Sequence, residues 1–410
     1  MDGTKDKTWR RPIVIIIAGC LIAVIGFGTR SVLGLFLEPM TVVRGWDRET
    51  FALALAIQNL MWGLCMPLAG AIADRHGPVR VIATGALIYA AGIWGMAQST
   101  SPLALHVFGG LLTGLGVAFT GFSLALAVMA RVVGAEKRSL VFGLGTAAGS
   151  MGQVLFSPIS QGFITAYGWH FSLMLLAVSS LLLIPLALAL PGGAAETKIV
   201  TDEQSLSEAL REASGHRGFV LLTMGFFVCG FHVAFITVHF PAYIKDIGLD
   251  PSVAGYAIAL IGLFNIIGSF LSGMVGQRWS KKYGLSVIYF LRAVVITIFI
   301  FSPASEFVVY LFSATMGILW LSTVPLTTGI VAQIFGIRYL ATLFGIVFLG
   351  HQVGSFLGVW LGGRIFDTTG SYESMWWAGV VLGLAASVVH LPIDERAVER
   401  SRVTDSNQSF

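Results

Sequence analysis

Residues 70–80 read Gly70-Ala71-Ile72-Ala73-Asp74-Arg75-His76-Gly77-Pro78-Val79-Arg80. The stretch joins two long apolar runs. Gly77-Pro78 punctuates the chain as a turn, so the charges gather where one helix ends and the next begins. A carboxylate at Asp74 can meet the N-terminus of a neighbouring helix and a nearby guanidinium, with Arg75 and Arg80 flanking the turn. Such a contact latches helix ends together in one state and must break in another. Gly70, Asp74, Arg75, Gly77 and Arg80 are therefore the expected conformational latch. The plainer reading is a basic loop that only sets topology. A weaker copy, Gly273-x-x-x-Gln277-Arg278, follows 203 residues later.

The rest of the chain suits a loop between membrane helices. It has 410 residues, a mean hydropathy of +0.83 and only 11% charged residues. A soluble domain of this size does not read that way, and its long apolar runs imply transmembrane helices. Twelve segments are long enough to span: 12–37, 50–72, 80–98, 102–130, 140–166, 170–190, 218–244, 252–276, 284–303, 306–331, 340–366 and 373–392. The longest polar stretch, 192–217, divides them into two sets of six and contains a short amphipathic piece at 206–213. The expected organisation is a six-helix bundle over 1–191, a linker over 192–217, a second bundle over 218–393 and a tail over 394–410. The first apolar run is long and no A-x-A-like site follows it, so it reads as a span and not a cleaved signal.

Nineteen of the 25 Lys and Arg residues fall on one side of this layout, among them Lys5, Lys7, Arg10, Arg11, Lys137, Lys198, Arg400 and Arg402. Arg44, Arg48, Lys245 and Arg364 fall on the other, and Arg30 and Arg292 lie within spans. The positive-inside rule then places both termini in the cytoplasm. The net charge of +4 is spread over short loops, which argues against nucleic-acid binding. Cys20, Cys65 and Cys229 sit in apolar segments with no CxxC or CxxH spacing, so neither a metal site nor a disulfide framework is expected. No catalytic pair is visible either. The chain is expected to need no cofactor, to act as a monomer in a bacterial inner (plasma) membrane, and not to be an enzyme.

The two halves repeat each other. Gly28-x-Arg30 followed by Pro39 matches Gly230-x-His232 followed by Pro241, at an offset of 202 residues throughout. Phe142-Gly143 and Gly152 recur as Phe344-Gly345 and Gly354 at the same offset. Two copies of like orientation imply two bundles related by an axis along the membrane normal.

The loop motif at 70–80 resembles that of the major facilitator superfamily between its second and third helices, and the layout matches over the whole chain. Gly149-Ser-Met-Gly152-Gln-Val-Leu-Phe-Ser-Pro158, Tyr167-Gly168-Trp169 and Phe366-Asp367-Thr-Thr-Gly370-Ser-Tyr372 are similar to the monocarboxylate and oxalate/formate branch. The resemblance implies an all-α major facilitator fold of twelve helices and a carrier of small organic anions. It also marks departures. The usual helix-4 arginine position holds Gly110. The helix-8 arginine that pairs with a substrate carboxylate stands as Ser269, with Asn265 four residues earlier. His351 lies near the helix-11 lysine of oxalate/formate carriers.

Arg30 is the remaining candidate for the anion anchor. A guanidinium inside a membrane helix costs roughly 2.5–3.5 kcal/mol on the gentlest insertion scale, and it cannot shed its proton. It needs water, an internal partner or an anion. A helix starting near Pro12 puts Arg30 roughly 27 Å along, so snorkelling to the far surface is the competing reading. His232 is expected beside Arg30 by the repeat. His239 lies seven residues on, on the same helix face. Each competes with a histidine hydrogen-bonded between helices. His351-Gln352 interrupts a stripe of Gly350, Gly354, Gly358 and Gly362. Gln58, Asn59, Asn265 and Trp320 either line the path or bridge helices, as do Gln153, Ser322 and Thr323. Arg292 is expected to snorkel or hold a structural partner.

No Asp or Glu lies in the core of a span, so only His232, His239, His351 and His106 could titrate there near neutral pH. Proton symport, anion exchange and facilitated diffusion all stay open. The leading reading is a secondary transporter of a small mono- or dicarboxylate working by alternating access. The alternative is an exporter of neutral or amphipathic compounds, with Arg30 held by a protein carboxyl group.

Overall fold

The structure, a computed structural model, describes residues 12–133, 138–191, 204–336 and 338–398. The basic residues Lys5, Lys7, Arg10, Arg11, Lys137, Lys198, Arg400 and Arg402 lie outside the described residues, as do linker residues 192–203 and the tail from 399. Among the described residues the regular elements are all helical. Ten helices are long and apolar enough to cross a membrane: Pro12–Arg44, Arg48–His76, Pro78–Gln98, Pro102–Ala130, Gly143–Leu188, Arg217–Asp246, Pro251–Arg278, Lys281–Phe301, Glu306–Phe335 and Leu340–Thr369. Gly143–Leu188 merges two expected segments, and a break inside it falls at Gly168, where φ is +84°. The 18-residue helix Glu373–His390 closes the series.

Helix 48–76 fixes two faces of the molecule. One face carries Arg48, Asp246 and Asp367; the other carries Gly77 and Trp279. At the second face Gly77 turns the chain with φ +88° and Pro78 opens the next helix, where a missing N–H is no loss.

The sequence repeat reappears as a repeat of contacts. A Cβ on Gly152 would overlap the carbonyl of Val24, and one on Gly28 would press on Phe156 and on the carbonyl of Gly152. In the second half of the chain, a Cβ on Gly354 would overlap the carbonyl of Phe227, and one on Gly230 that of His351. The same glycines thus bring the same pair of helices together twice, as small residues do in membranes.

Helices from the two halves of the sequence also meet. At mid-depth Asn265 donates to Ser150 Oγ at 2.9 Å and Gln153 donates to the Ile258 carbonyl at 3.0 Å. Toward the Arg48 face, Gly34 packs on the backbone of Thr237 and Val238, and Gly363 on Glu49 and Ala52. Toward the Gly77 face, four glycines (Gly70, Gly143, Gly273 and Gly345) look into open space for 4 Å. These are two repeat-related pairs.

Two straps lie on the Gly77 face of the second half. The linker ends in helix Leu206–Gly215, started by a capping box of Ser205 and Glu208. Just before it, the Gln204 carbonyl accepts the Tyr339 hydroxyl at 2.9 Å. After the last helix, Lys282 Nζ donates to the Ile393 carbonyl at 2.7 Å and the Val398 N–H to the Ile334 carbonyl at 3.0 Å.

Candidate functional site

Arg30 sits in the last turn of the regular helix Pro12–Ser31, just before a tight 3₁₀ turn over Leu33–Phe36. Its side chain turns inward, away from any snorkelling path. Nη2 donates to Asn59 Oδ1 at 2.6 Å, and the guanidinium lies 4.5 Å from the centre of the Trp62 ring. Asn59 is held in turn by its own Nδ2, which donates to the Leu55 carbonyl at 2.8 Å. The pair is local chemistry of one helix face: Asn59 and Trp62 are three residues apart. Trp62 was missed as a site residue, although this spacing carries the signal.

No acid pairs with Arg30 among the described residues. Its Nε is buried without an acceptor, as are Trp62 Nε1 and the amide nitrogens of Gln58 and Gln352. These orphans are all donors, and unpaired buried donors are rare in native structures. A cavity of about 20 Å³ borders Arg30, Phe27, Trp62 and Thr120, enough for a water and too small for an organic acid. Across from Trp62, the Phe348 ring stands edge-on at 5.1 Å, and His351 stacks on Phe348 at 5.5 Å and 9°. Gln352 packs its Cβ and Cγ against Gly63. The structure therefore joins Arg30 to Asn59 and Trp62 on helix 48–76, and a stack of rings runs from Trp62 through Phe348 to His351 on helix 340–369, where Gln352 meets Gly63; the Gln58 backbone packs instead on Gly114 of helix Pro102–Ala130.

The other expected residues lie elsewhere. His232 is not beside Arg30. It is 2% exposed and its Nε2 meets the Gly379 carbonyl at 2.8 Å, so the sequence repeat does not carry the juxtaposition into space. His239 is fully buried between the Val359 carbonyl (2.7 Å) and the Tyr372 hydroxyl (3.0 Å). His106 meets the Thr50 carbonyl at 3.0 Å. His232 and His239 thus have the geometry of the competing reading, a histidine bonded between helices. Asp74, Arg75 and Arg80 are exposed at the Gly77 turn.

Asn265, Trp320 and Arg292 meet at a break the sequence did not announce. Helix Glu306–Leu319 stops, and Thr323–Phe335 restarts. Arg292 does not snorkel: it is fully buried and donates to the carbonyls of Leu319 and Trp320. Asn265 Oδ1 accepts the Leu321 N–H at 2.9 Å, and Ser272 donates to the Ser322 carbonyl. Side chains thereby satisfy the backbone groups that a broken membrane helix frees. Trp320 is 1% exposed within this knot.

A second cluster, at the Arg48 face, joins the halves by charge. Arg48 grips Asp246 with two nitrogens at 2.6 and 2.7 Å and donates to the Tyr372 hydroxyl at 3.0 Å. Trp360 Nε1 donates to Glu49 at 2.8 Å, and Lys245 pairs with Glu38 at 2.6 Å. Asp367 accepts the backbone N–H groups of Arg48 (3.1 Å) and Glu49 (2.6 Å). Sequence reading missed this seal as a unit. Its members lie about 200 to 320 residues apart in pairs, and nothing local announces them.

A profile of the Major Facilitator Superfamily matches residues 19–322 and again 222–409. The chain belongs to the Major Facilitator Superfamily. It is similar to monocarboxylate transporter 13 of Bos taurus, at 26% identity over 329 residues, covering 79% of this chain and 75% of that one. It is also similar to YcxA, an uncharacterized MFS-type transporter of Bacillus subtilis (strain 168). That match is 26% identical over 373 residues, covering 87% of this chain and 89% of the relative. Among solved structures, the nucleoside transporter NupG aligns with a TM-score of 0.75 at 14% identity, over 92% of this chain and 99% of the other. A D-xylose-proton symporter aligns at 0.74, also at 14%, over 94% and 99%. At such identities the structures speak for the fold alone. The expected major facilitator fold and the likeness to the monocarboxylate branch are both borne out. As a superfamily member the chain is a multi-pass membrane transporter, and the relatives named here are transporters, not enzymes.

Proposed function

We propose that this facilitator carries a small organic anion, a mono- or dicarboxylate, and that Arg30 is its charge anchor. One observation carries the reading: Arg30 borders a small cavity with its Nε and the neighbouring Trp62 Nε1 both unpaired, and it meets no protein carboxylate among the described residues. Arg30 Nε and Trp62 Nε1 are donors in every protonation state, so the missing partner is an acceptor. A carboxylate supplies both the acceptor atoms and the charge. The exporter reading would gain from an acid on Arg30, and its partner is an amide.

The transport cycle is alternating access between two six-helix bundles, 1–191 and 218–393. On this reading the break at Gly168 divides two spans and the closing helix Glu373–His390 is the twelfth. The Lys and Arg bias makes the Gly77 face cytoplasmic. On that assignment the Arg48 seal shuts the outside and the open glycines mark the inward mouth. Gln58, Asn59, Trp62, His351 and Gln352 line the binding seam, while Asn265, Trp320, His232 and His239 shape the second bundle behind it. Asp74, Arg75 and Arg80, with Gly70 and Gly77, form the latch of the opposite state.

The test is uptake into proteoliposomes of labelled acetate, lactate, pyruvate, oxalate and an aromatic acid, with and without an inward proton gradient. Saturable uptake of one acid, lost in Arg30→Ala, is the expected result. Acceleration by the gradient would assign proton symport; acceleration only by internal acid would assign exchange. Uptake indifferent to Arg30→Ala would sink the anchor.

A further inference from the structure

A helix begins with N–H groups that have no partner within it, and an aspartate at the N-cap is among the best acceptors for them. Two helices of this chain begin after such an aspartate, at repeat-related positions. Asp250 precedes Pro251–Arg278, and Asp47 precedes Arg48–His76, 203 residues earlier. Asp250 caps its own helix, accepting the Ser252 N–H at 2.8 Å. Asp47 has the same extended backbone (φ −68°, ψ 155°, against −61° and 137°) but makes no side-chain cap and is exposed. The donor it would take, the Glu49 N–H at the position Ser252 holds for Asp250, is bound by Asp367 from the other half of the chain, which also accepts the Arg48 N–H. The position 202 residues before Asp367 is Thr165, not an acid, and the second-half helix keeps its own cap.

We propose that Asp47 and Asp367 exchange the N-terminus of helix Arg48–His76 during the cycle. Asp367 caps it across the interface while the Arg48 face is shut. Asp47 takes it over, as Asp250 does for its own helix, when that face parts. Both are positioning residues that set the balance of the two states and touch no substrate. The inference rests on the alternating-access reading above. It predicts opposite signs for the two acids. Loss of Asp367 weakens only the shut state, and loss of Asp47 weakens only the parted one. A cap worth a typical amount shifts the population about fivefold.

The test measures two distances by spin labelling in lipid nanodiscs, with Cys20, Cys65 and Cys229 replaced. Labels at Val43 and Ser252 read the Arg48 face, and labels at His76 and Gln277 read the Gly77 face; all four positions are exposed. Asp246→Asn serves as the background, weakening the seal so that both states are populated. Asp367→Ala is expected to raise the population of the long Val43–Ser252 distance about fivefold, with the short His76–Gln277 distance gaining population in step. Asp47→Ala is expected to lower it by a similar factor, the double variant to return near the background ratio, and Asp47→Asn to stay there because asparagine caps as well. Asp47→Ala with no effect, or with the sign of Asp367→Ala, overturns the exchange. Should Asp367→Ala fail to fold, the Asp47→Ala and Asp47→Asn pair decides alone. A background protein with one fixed distance at each face would overturn alternating access itself, and the inference with it.

Discussion

Arg30 and Arg292 are the two arginines read as lying within the membrane, and neither meets an acid among the described residues. Their surroundings separate them. Arg292 is wholly buried and gives its Nε and Nη2 to two backbone carbonyls at the end of a helix, where a cation is also favoured by the helix dipole, while its Nη1 has no acceptor. Arg30 is half-buried, shares one amide and a ring face, and keeps a buried Nε without an acceptor. Both arginines keep one unpaired donor, so a leftover donor alone does not mark a binding site. What sets Arg30 apart is the small cavity it borders and its single amide acceptor, whereas Arg292 holds two backbone carbonyls.

Substitution should break this contrast cleanly. The largest effect is expected from Arg292→Ala. It strands the Leu319 and Trp320 carbonyls in the interior, at about 1–3 kcal/mol each, and should show as a marked fall in thermal stability in detergent. Arg30→Ala should abolish saturable uptake while melting within a few degrees of wild type, since its removal frees only an amide. A large stability loss in Arg30→Ala would make the two arginines alike and remove the basis for the anchor. Next comes Trp62→Phe, which keeps the ring and deletes the orphan N–H. A lost hydrogen bond to a charged ligand is worth about 1.5–3 kcal/mol, so KM should rise by at least tenfold with kcat little changed. The smallest effect is expected from His232→Asn, which lies outside the Arg30 seam and should alter KM less than twofold. A His232 effect as large as that of Trp62 would place the site deeper in the second half.

Much of the fold was legible because it is written locally. Hydropathy gave the long apolar helices, the Gly77-Pro78 turn gave a helix boundary, and the glycines that recur at the 202-residue offset are the ones found where helices pair in each half. Arg30, Gln58, Asn59, His351 and Gln352 were legible as polar groups in apolar runs. Their arrangement was not, and His232 shows why. A repeat fixes the place of a residue within its own bundle and says nothing of the face it turns to the other. The break at Leu319–Thr323 was hidden because its sequence is apolar and helix-permissive. Its cause is Arg292, a side chain on another helix. The seal at Arg48 was hidden for the same reason: each of its bonds joins residues brought close only by the finished fold.

The linker and the tail both fasten to the second half, at Tyr339 and at Ile334 and Lys282. Mechanically, these fastenings make that half the chassis. A fluorescent tag fused beyond Val398 would ride with it and report its tilt, while staying silent about the first half. A partner gripping the tail would pull on the Lys282 and Ile334 anchorages, leaving the helix that carries Arg30 unloaded.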